Sequence, residues 1–259
     1  MNNHNDALLQ HTLAAPIHVI GRGLHRGVAA SMTLLPAPEN TGYVFERLDV
    51  RPEKGEIPAR WNLVSETRLS TTISNSFGVR VATIEHLLAA LRGMEVDNCR
   101  ILIDGPEVLI LDGSAQPYVE LIEQTGLRVQ KADRRAIVIR KPVVILDQDS
   151  NVSLVPHPTA LMDVTIDFDN QVIGRQRLSL PLTRDLFANH IARARTFGLE
   201  RDIRTLQRHG LALGGSLGNA ILVGEKKVIN EEGLRYTDEF VRHKYLVRWV
   251  TSRLLAHPS

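Results

Sequence analysis

Thr83-Ile84-Glu85-His86-Leu87-Leu88-Ala89-Ala90-Leu91-Arg92-Gly93 is where the hydrophobic period of this chain first changes from strand-like to helical. Ile84, Leu87, Leu88 and Leu91 recur at i, i+3, i+4 and i+7, the spacing of one helix face. Thr83 suits the N-cap and Gly93 the stop. The preceding residues read differently. His11–Gly21, Ala30–Pro38 and Gly42–Val50 alternate apolar segments with turn signals, among them Gly21-Arg22-Gly23, and predict a β-meander. After the helix, Asp97–Gly105 reads as a strand and Ser114–Gly126 as a second helix. The segment from Thr125 to Ala136, TGLRVQKADRRA, is polar and charged and reads as a domain boundary.

The second half repeats the order. Ala136–Asp147, Asn151–Pro158 and Ala160–Asp169 read as strands, helices follow around 183–193 and 200–209, Asn219–Asn230 reads as a strand, and a last helix begins near Asp238. Strands before helices in both halves predict an α+β chain of two domains, 1–126 and 134–259, rather than a doubly wound sheet.

Composition narrows the function. Of 259 residues, 43% are hydrophobic and 23% charged, and 31 basic residues against 29 acidic ones give a net charge of only +2. That spread offers no basic stripe for nucleic acid. No apolar run is long enough for a membrane span, and the polar start, MNNHNDALLQ, does not read as a secretion signal. Cys99 is the sole cysteine, so neither a disulfide framework nor a thiolate zinc site is expected, and a reducing cytoplasm is the simplest home.

Two helical segments carry groups suited to metal chemistry. Glu85 and His86 fall in the first turn of the first helix, off its apolar stripe. A helix N-terminus disfavours an imidazolium, which keeps a histidine free to bind metal, and an adjacent carboxylate can take a proton from metal-held water. A solvated helix face is the commoner reason for such a pair. In the last helix Thr237 suits the cap, and His243 shares a face with position 247. A carboxylate there would complete a good zinc pair, but the residue is Val247, so on spacing alone a structural role is the commoner reading of His243. Arg195-Thr196-Phe197-Gly198, Leu213-Gly214-Gly215-Ser216, Asp112-Gly113-Ser114 and His25 have ordinary turn or packing explanations. A Thr hydroxyl can also face an oxyanion, and glycines admit close backbone approach to a ligand.

In order along the chain, GRGLHRG, PAPENTGYVFERLD, TRLSTT, TIEHLLAAL, ILDGSAQPYV, IDFD…IG, ARTFG, GLALGGSLGNA and LRYTDEFVRHK resemble the UDP-3-O-acyl-N-acetylglucosamine deacetylase family, over about residues 10–246. The resemblance implies two similar α+β domains, each a sheet layer on a helix layer, with the active site between them. It implies zinc-dependent hydrolysis of the acetamide of an acylated UDP-sugar in lipid A biosynthesis, by a cytoplasmic monomer. It implies Glu85 as general base, His86 and His243 as zinc ligands, Lys244 near the substrate, Thr196 facing the oxyanion, and Phe197 and Gly215 in the substrate channel.

The chain departs from the family after Lys244. An aspartate that completes the zinc shell is expected where Val247 stands, followed by a Gly-Asp-Leu helix, and the family's later histidine has no counterpart. Smaller departures are Ser70, Asn170-Gln171 and Gly218. Codons can be written for Val247–Arg253 such that one added base reads Asp-Ala-Val-Gly-Asp-Leu-Ala, so a single-base deletion is expected there. An incomplete second domain, impaired zinc binding and exposure or irregular packing of Trp249, Val250, Leu254 and Leu255 are expected to follow.

Overall fold

A computed structural model describes residues 8–147 and 150–254. The alternating segments at its start form β1 (Leu9–Leu13), β2 (Ile17–Arg22), β3 (Ala29–Pro36) and β4 (Tyr43–Arg47). Short strands follow: β5 (Glu56–Pro58), β6 (Val64–Glu66), β7 (Thr72–Ser74) and β8 (Arg80–Val81). Helix α1 (Glu85–Gly93), strand β9 (Cys99–Ile103), helix α2 (Gln116–Thr125) and strand β10 (Leu127–Asp133) complete the first half.

Five strands make one sheet in the order β2-β3-β9-β4-β5. The pair β4–β9 is parallel, which requires a crossover, and α1 lies in that connection. The pleat explains the core. Met32 pairs with Ile103 and Leu34 with Ile101, while Phe45 pairs with both Ile101 and Ile57. These side chains stack on one face. Together with Leu87, Leu88 and Leu91 of α1 they form one buried cluster.

The second half opens with β11 (Val143–Asp147) and β12 (Ser150–Leu154), an antiparallel pair, then β13 (Leu161–Asp167) and β14 (Arg175–Pro181), another. Helix α3 (Arg184–Leu186) continues into a π-helical turn at Phe187–Ile191. Strand β15 (Phe197–Leu199), helix α4 (Glu200–Arg208) and strand β16 (Ile221–Val223) form a parallel unit with the helix as crossover. Helix α5 (Glu239–Leu254) closes it, packed on α1 and on β13 and β14. The architecture is α+β. No helix among the described residues is long and apolar enough to cross a membrane.

The segment read as a domain boundary also carries an element, and two further readings are corrected. The segment taken as a boundary is in part strand β10, antiparallel to β1, with Leu13 opposite Leu127. Buried amides anchor it: Asn98 donates to Gln130 at 2.8 Å and to Gln10 at 2.8 Å. Thr83 does not cap α1. Its backbone is left-handed, with φ of 58°, and Ile84 precedes the helix with no side-chain cap. Trp249 and Val250 are buried rather than irregularly exposed, because Trp249 reaches across to Phe187, with ring centroids 5.1 Å apart. Leu255 lies outside the described residues, and so does the side chain of Leu254.

Candidate active site

Helix α1 begins inside the protein. Glu85 and His86 are both buried, not on the solvated face their position off the apolar stripe suggests, because the far side of α1 is covered by α5. The Glu85 carboxylate accepts the Thr71 backbone N–H. Burial pushes its pKa up, while that hydrogen bond and the nearby Lys244 ammonium oppose the rise. Burial pushes the His86 imidazole down to about 4. The histidine is therefore neutral near pH 7, chiefly through desolvation rather than through the helix terminus invoked from sequence.

Helix α5 carries the other half of the cluster. Its first turn is fixed by Glu239, which is fully buried. Glu239 accepts from the Arg195 backbone N–H and from Arg195 Nε, both at 3.0 Å, and from the Arg235 N–H at 2.6 Å. Arg195, itself almost wholly buried, also donates to Glu232 at 2.7 Å and to the Gly233 carbonyl at 2.7 Å. This network ties the segment leading into Thr196 and Phe197 to the turn of α5 before His243. It also commits Glu239, which excludes that carboxylate as a substitute metal donor in this arrangement.

Residues distant in sequence meet where α1 packs on α5. His86 Nε2 stands 3.0 Å from His243 Nε2, and the rings lie edge to face, centroids 5.2 Å apart. Phe197 flanks His243 at 5.8 Å, and Lys244 Nζ lies 5.2 Å from the Phe197 ring centroid. Burial pulls the His243 pKa well down, aided by the neighbouring His86 and Lys244. Burial likewise lowers that of Lys244, with Arg248 adding to the effect and Glu85 opposing it.

Of the residues singled out from sequence, five come together: Glu85, His86, Phe197, His243 and Lys244. Thr196 adjoins them, its backbone held by Gly113 on one side and Ile221 on the other, each at 2.8 Å. Gly215 lies apart in the 212–216 loop, its open face against Ala212 and Leu24. Glu107, Arg195 and Glu239 were not picked out as site residues. Arg195 and Glu239 fall inside motifs quoted above, but their part is set by burial and hydrogen bonding, as is that of Glu107, and no periodic pattern carries that information.

The donor set matches a metal site in part. Two nitrogens bound to one tetrahedral zinc stand about 3.3 Å apart, close to the separation of the two Nε2 atoms. Both Nδ1 atoms are buried without a hydrogen-bond partner among the described residues, so neither ring is committed elsewhere. The position one turn beyond His243 is Val247, which packs against the main core. Among the described residues no group of three or more His, Cys, Asp or Glu is placed to hold a metal. The imidazoles suit zinc, but the set as it stands does not complete a catalytic zinc site.

A neutral imidazole pair beside a buried carboxylate, on an α+β frame, belongs to the class of hydrolases that activate water. Comparison with known proteins makes the class particular. The family of UDP-3-O-acyl N-acetylglycosamine deacetylases matches residues 10–247. The UDP-3-O-acyl-N-acetylglucosamine deacetylase of Anaeromyxobacter sp. (strain Fw109-5) is 47% identical over 237 residues, covering 92% of this chain and 77% of the relative. That of Myxococcus xanthus (strain DK1622) is 48% identical over 238 residues, covering 92% and 75%. That of Shewanella violacea is 44% identical over 241 residues, covering 92% and 78%. The chain belongs to this deacetylase family.

Proposed function

We propose that the chain carries the family's site for removing the acetyl group from UDP-3-O-acyl-N-acetylglucosamine, a step of lipid A biosynthesis, and that its turnover is impaired. The observation that carries this is the 3.0 Å approach of the two Nε2 atoms beside Glu85. In this reading His86 and His243 are the protein donors to Zn2+, whose chemistry when bound is to acidify water. With Val247 in the third place the donors fall short of the three that a catalytic zinc needs.

The chain's own residues have distinct parts. Glu85, its pKa raised by burial, takes and holds a proton from the attacking water. Lys244 faces the developing negative charge, as does the Thr196 hydroxyl. Phe197 and Gly215 line the approach of the acyl chain and sugar. The division into similar units 1–126 and 134–259, a cytoplasmic location and a monomeric state belong to the same reading, with β10 between the units serving the first.

The test is acetate release from UDP-3-O-acyl-N-acetylglucosamine, with zinc content measured on the same purified sample. Expected are sub-stoichiometric zinc and turnover at least about 100-fold below that of the M. xanthus relative, as when a metal site loses a ligand or its support. Near-equal turnover overturns the impairment. Zinc binding that leaves His86 and His243 untouched overturns the site. A second reading, a chain that binds the substrate without turning it over, is favoured by Val247. It predicts substrate binding with no acetate at any zinc concentration.

A further inference from the structure

A carboxylate outside the family motifs quoted above joins both sides of the candidate site. Glu107 is buried and accepts three hydrogen bonds. Its Oε1 receives the His25 N–H at 2.7 Å and the Thr83 hydroxyl at 2.9 Å, and its Oε2 receives the Arg26 N–H at 2.9 Å. We infer that Glu107 is a positioning residue, which sets the left-handed turn at Thr83, and hence Glu85 and His86, against the loop that docks the second half.

Three observations support this. First, Thr83 is a β-branched residue at φ of 58°, a conformation that persists only where the surroundings impose it, at a cost of about 1–3 kcal/mol. The residues around Glu107 impose it here. Val108 donates to the Ala82 carbonyl at 3.0 Å and Ala82 to the Pro106 carbonyl at 2.9 Å, while the carboxylate itself holds the Thr83 side chain. Glu85 and His86 follow two and three residues later.

Second, the loop that Glu107 grips from its other side meets the second half. Leu213 and Gly214 donate their N–H groups to the carbonyls of His25 and Leu24, both at 2.9 Å. A Cβ at Gly23 would overlap the Glu107 carboxylate, and one at Gly214 would overlap the Gly23 carbonyl. Carboxylate, loop and second half are thus in direct succession, with no room to slide.

Third, the bonding demands an acceptor at both oxygens. An ionised carboxylate only accepts. A glutamine of the same shape would turn an N–H2 group toward the Arg26 N–H or, flipped, toward the His25 N–H. No rotamer of that glutamine reproduces the set.

The inference rests on the proposed site for its functional meaning, but its test is metal-free. The imidazole nitrogen signals of His86 and His243 are followed by long-range 1H–15N NMR at pH 7.5. Glu107→Gln is expected to shift both by more than the linewidth while the far-ultraviolet circular dichroism is unchanged. Adding Thr83→Gly is expected to bring them back toward the parent, because glycine takes a left-handed φ without an anchor. Thr83→Val, which loses the hydroxyl but keeps the shape, is expected to shift them the same way by less. Parent-like imidazole signals in Glu107→Gln overturn the proposal, as does a double variant no closer to the parent than Glu107→Gln. Should Glu107→Gln fail to fold, Thr83→Val decides, and unmoved signals there overturn it. Zinc titration of the parent on the same signals reports separately on the metal reading.

Discussion

The two halves of the chain use similar elements and bury them unequally. In the first, Met32, Leu34, Phe45, Ile57, Ile101 and Ile103 are all closed off from water between the sheet and its helices. In the second, every described residue of β11 and β12 is exposed, and β13 and β14 alternate only between exposed and half-buried. Helix α5, which carries His243 and Lys244, is packed between β13, β14 and the 187–191 turn on one side and α1 on the other, and its Tyr245, Leu246, Trp249 and Val250 join the core that contains α1. Half of the candidate site thus rests on its own sheet, and the other half borrows the first one's core.

That contrast can be broken most forcefully from the first half. Phe45→Ala removes a fully buried ring from an inner strand of the five-stranded sheet and is expected to cost about 4 kcal/mol by urea denaturation. If α5 depends on that core, His243 should lose its fixed environment in the same transition. Two separate transitions would show that the second half stands on its own.

A slightly smaller effect is expected within the second half. Arg195→Met leaves the Glu239 carboxylate buried with no countercharge and only the backbone N–H groups of residues 195 and 235 to answer it. Removing one partner of a buried pair costs about 3 kcal/mol or somewhat more. The loss should concentrate in α5 and β15, seen as faster amide exchange there, with β3 and β9 little changed. Equal acceleration in β3 and β9 would mean that the halves open as one unit.

Proton linkage gives a third test, about half the size of the first. His86 has a folded pKa of about 4, against the ordinary 6.5. Between those values the unfolded chain binds more protons, so stability is fully present above about pH 6.5 and is lost as pH falls toward 4. From pH 7.5 to pH 5 the metal-free chain should lose about 2 kcal/mol from this residue alone. His25 and His243, also pushed down by burial, act with the same sign. His86→Gln should flatten the profile, and an unchanged slope would place the acid sensitivity elsewhere.

How much of this could be read beforehand follows from what each signal encodes. The period of Ile84, Leu87, Leu88 and Leu91 yields α1, and the pleat yields β2, β3, β4 and β9, because burial of one face imposes a repeat. The burial of Glu85 and His86 was not legible, since it comes from α5 folding back from a distant part of the chain. Strand β10 was hidden by its charges: Arg128, Lys131 and Asp133 are side chains an edge can carry, and only Gln130 of that strand is buried. Strand β14 was missed for a similar reason, as Arg175 and Arg177 sit on its exposed face. The Glu107 and Arg195 networks follow no period at all. The family resemblance supplied Glu85, His86, His243 and Lys244 where spacing alone left each a common surface or packing residue.

The smallest expected effect is the most direct check on the contrast between the halves. Ile145 and Leu146, in the middle of β11, are 65% and 78% exposed. Their hairpin presents apolar side chains and open backbone edges to water, the combination that invites edge-to-edge association. A side chain that leaves water neither in the folded nor in the unfolded chain contributes little to their difference, so Ile145→Lys should change stability by under about 0.5 kcal/mol. The charge should raise the concentration at which the chain begins to aggregate, read by light scattering. A loss of several kcal/mol would require that Ile145 is covered in solution, and the second half would then have a buried sheet face of its own.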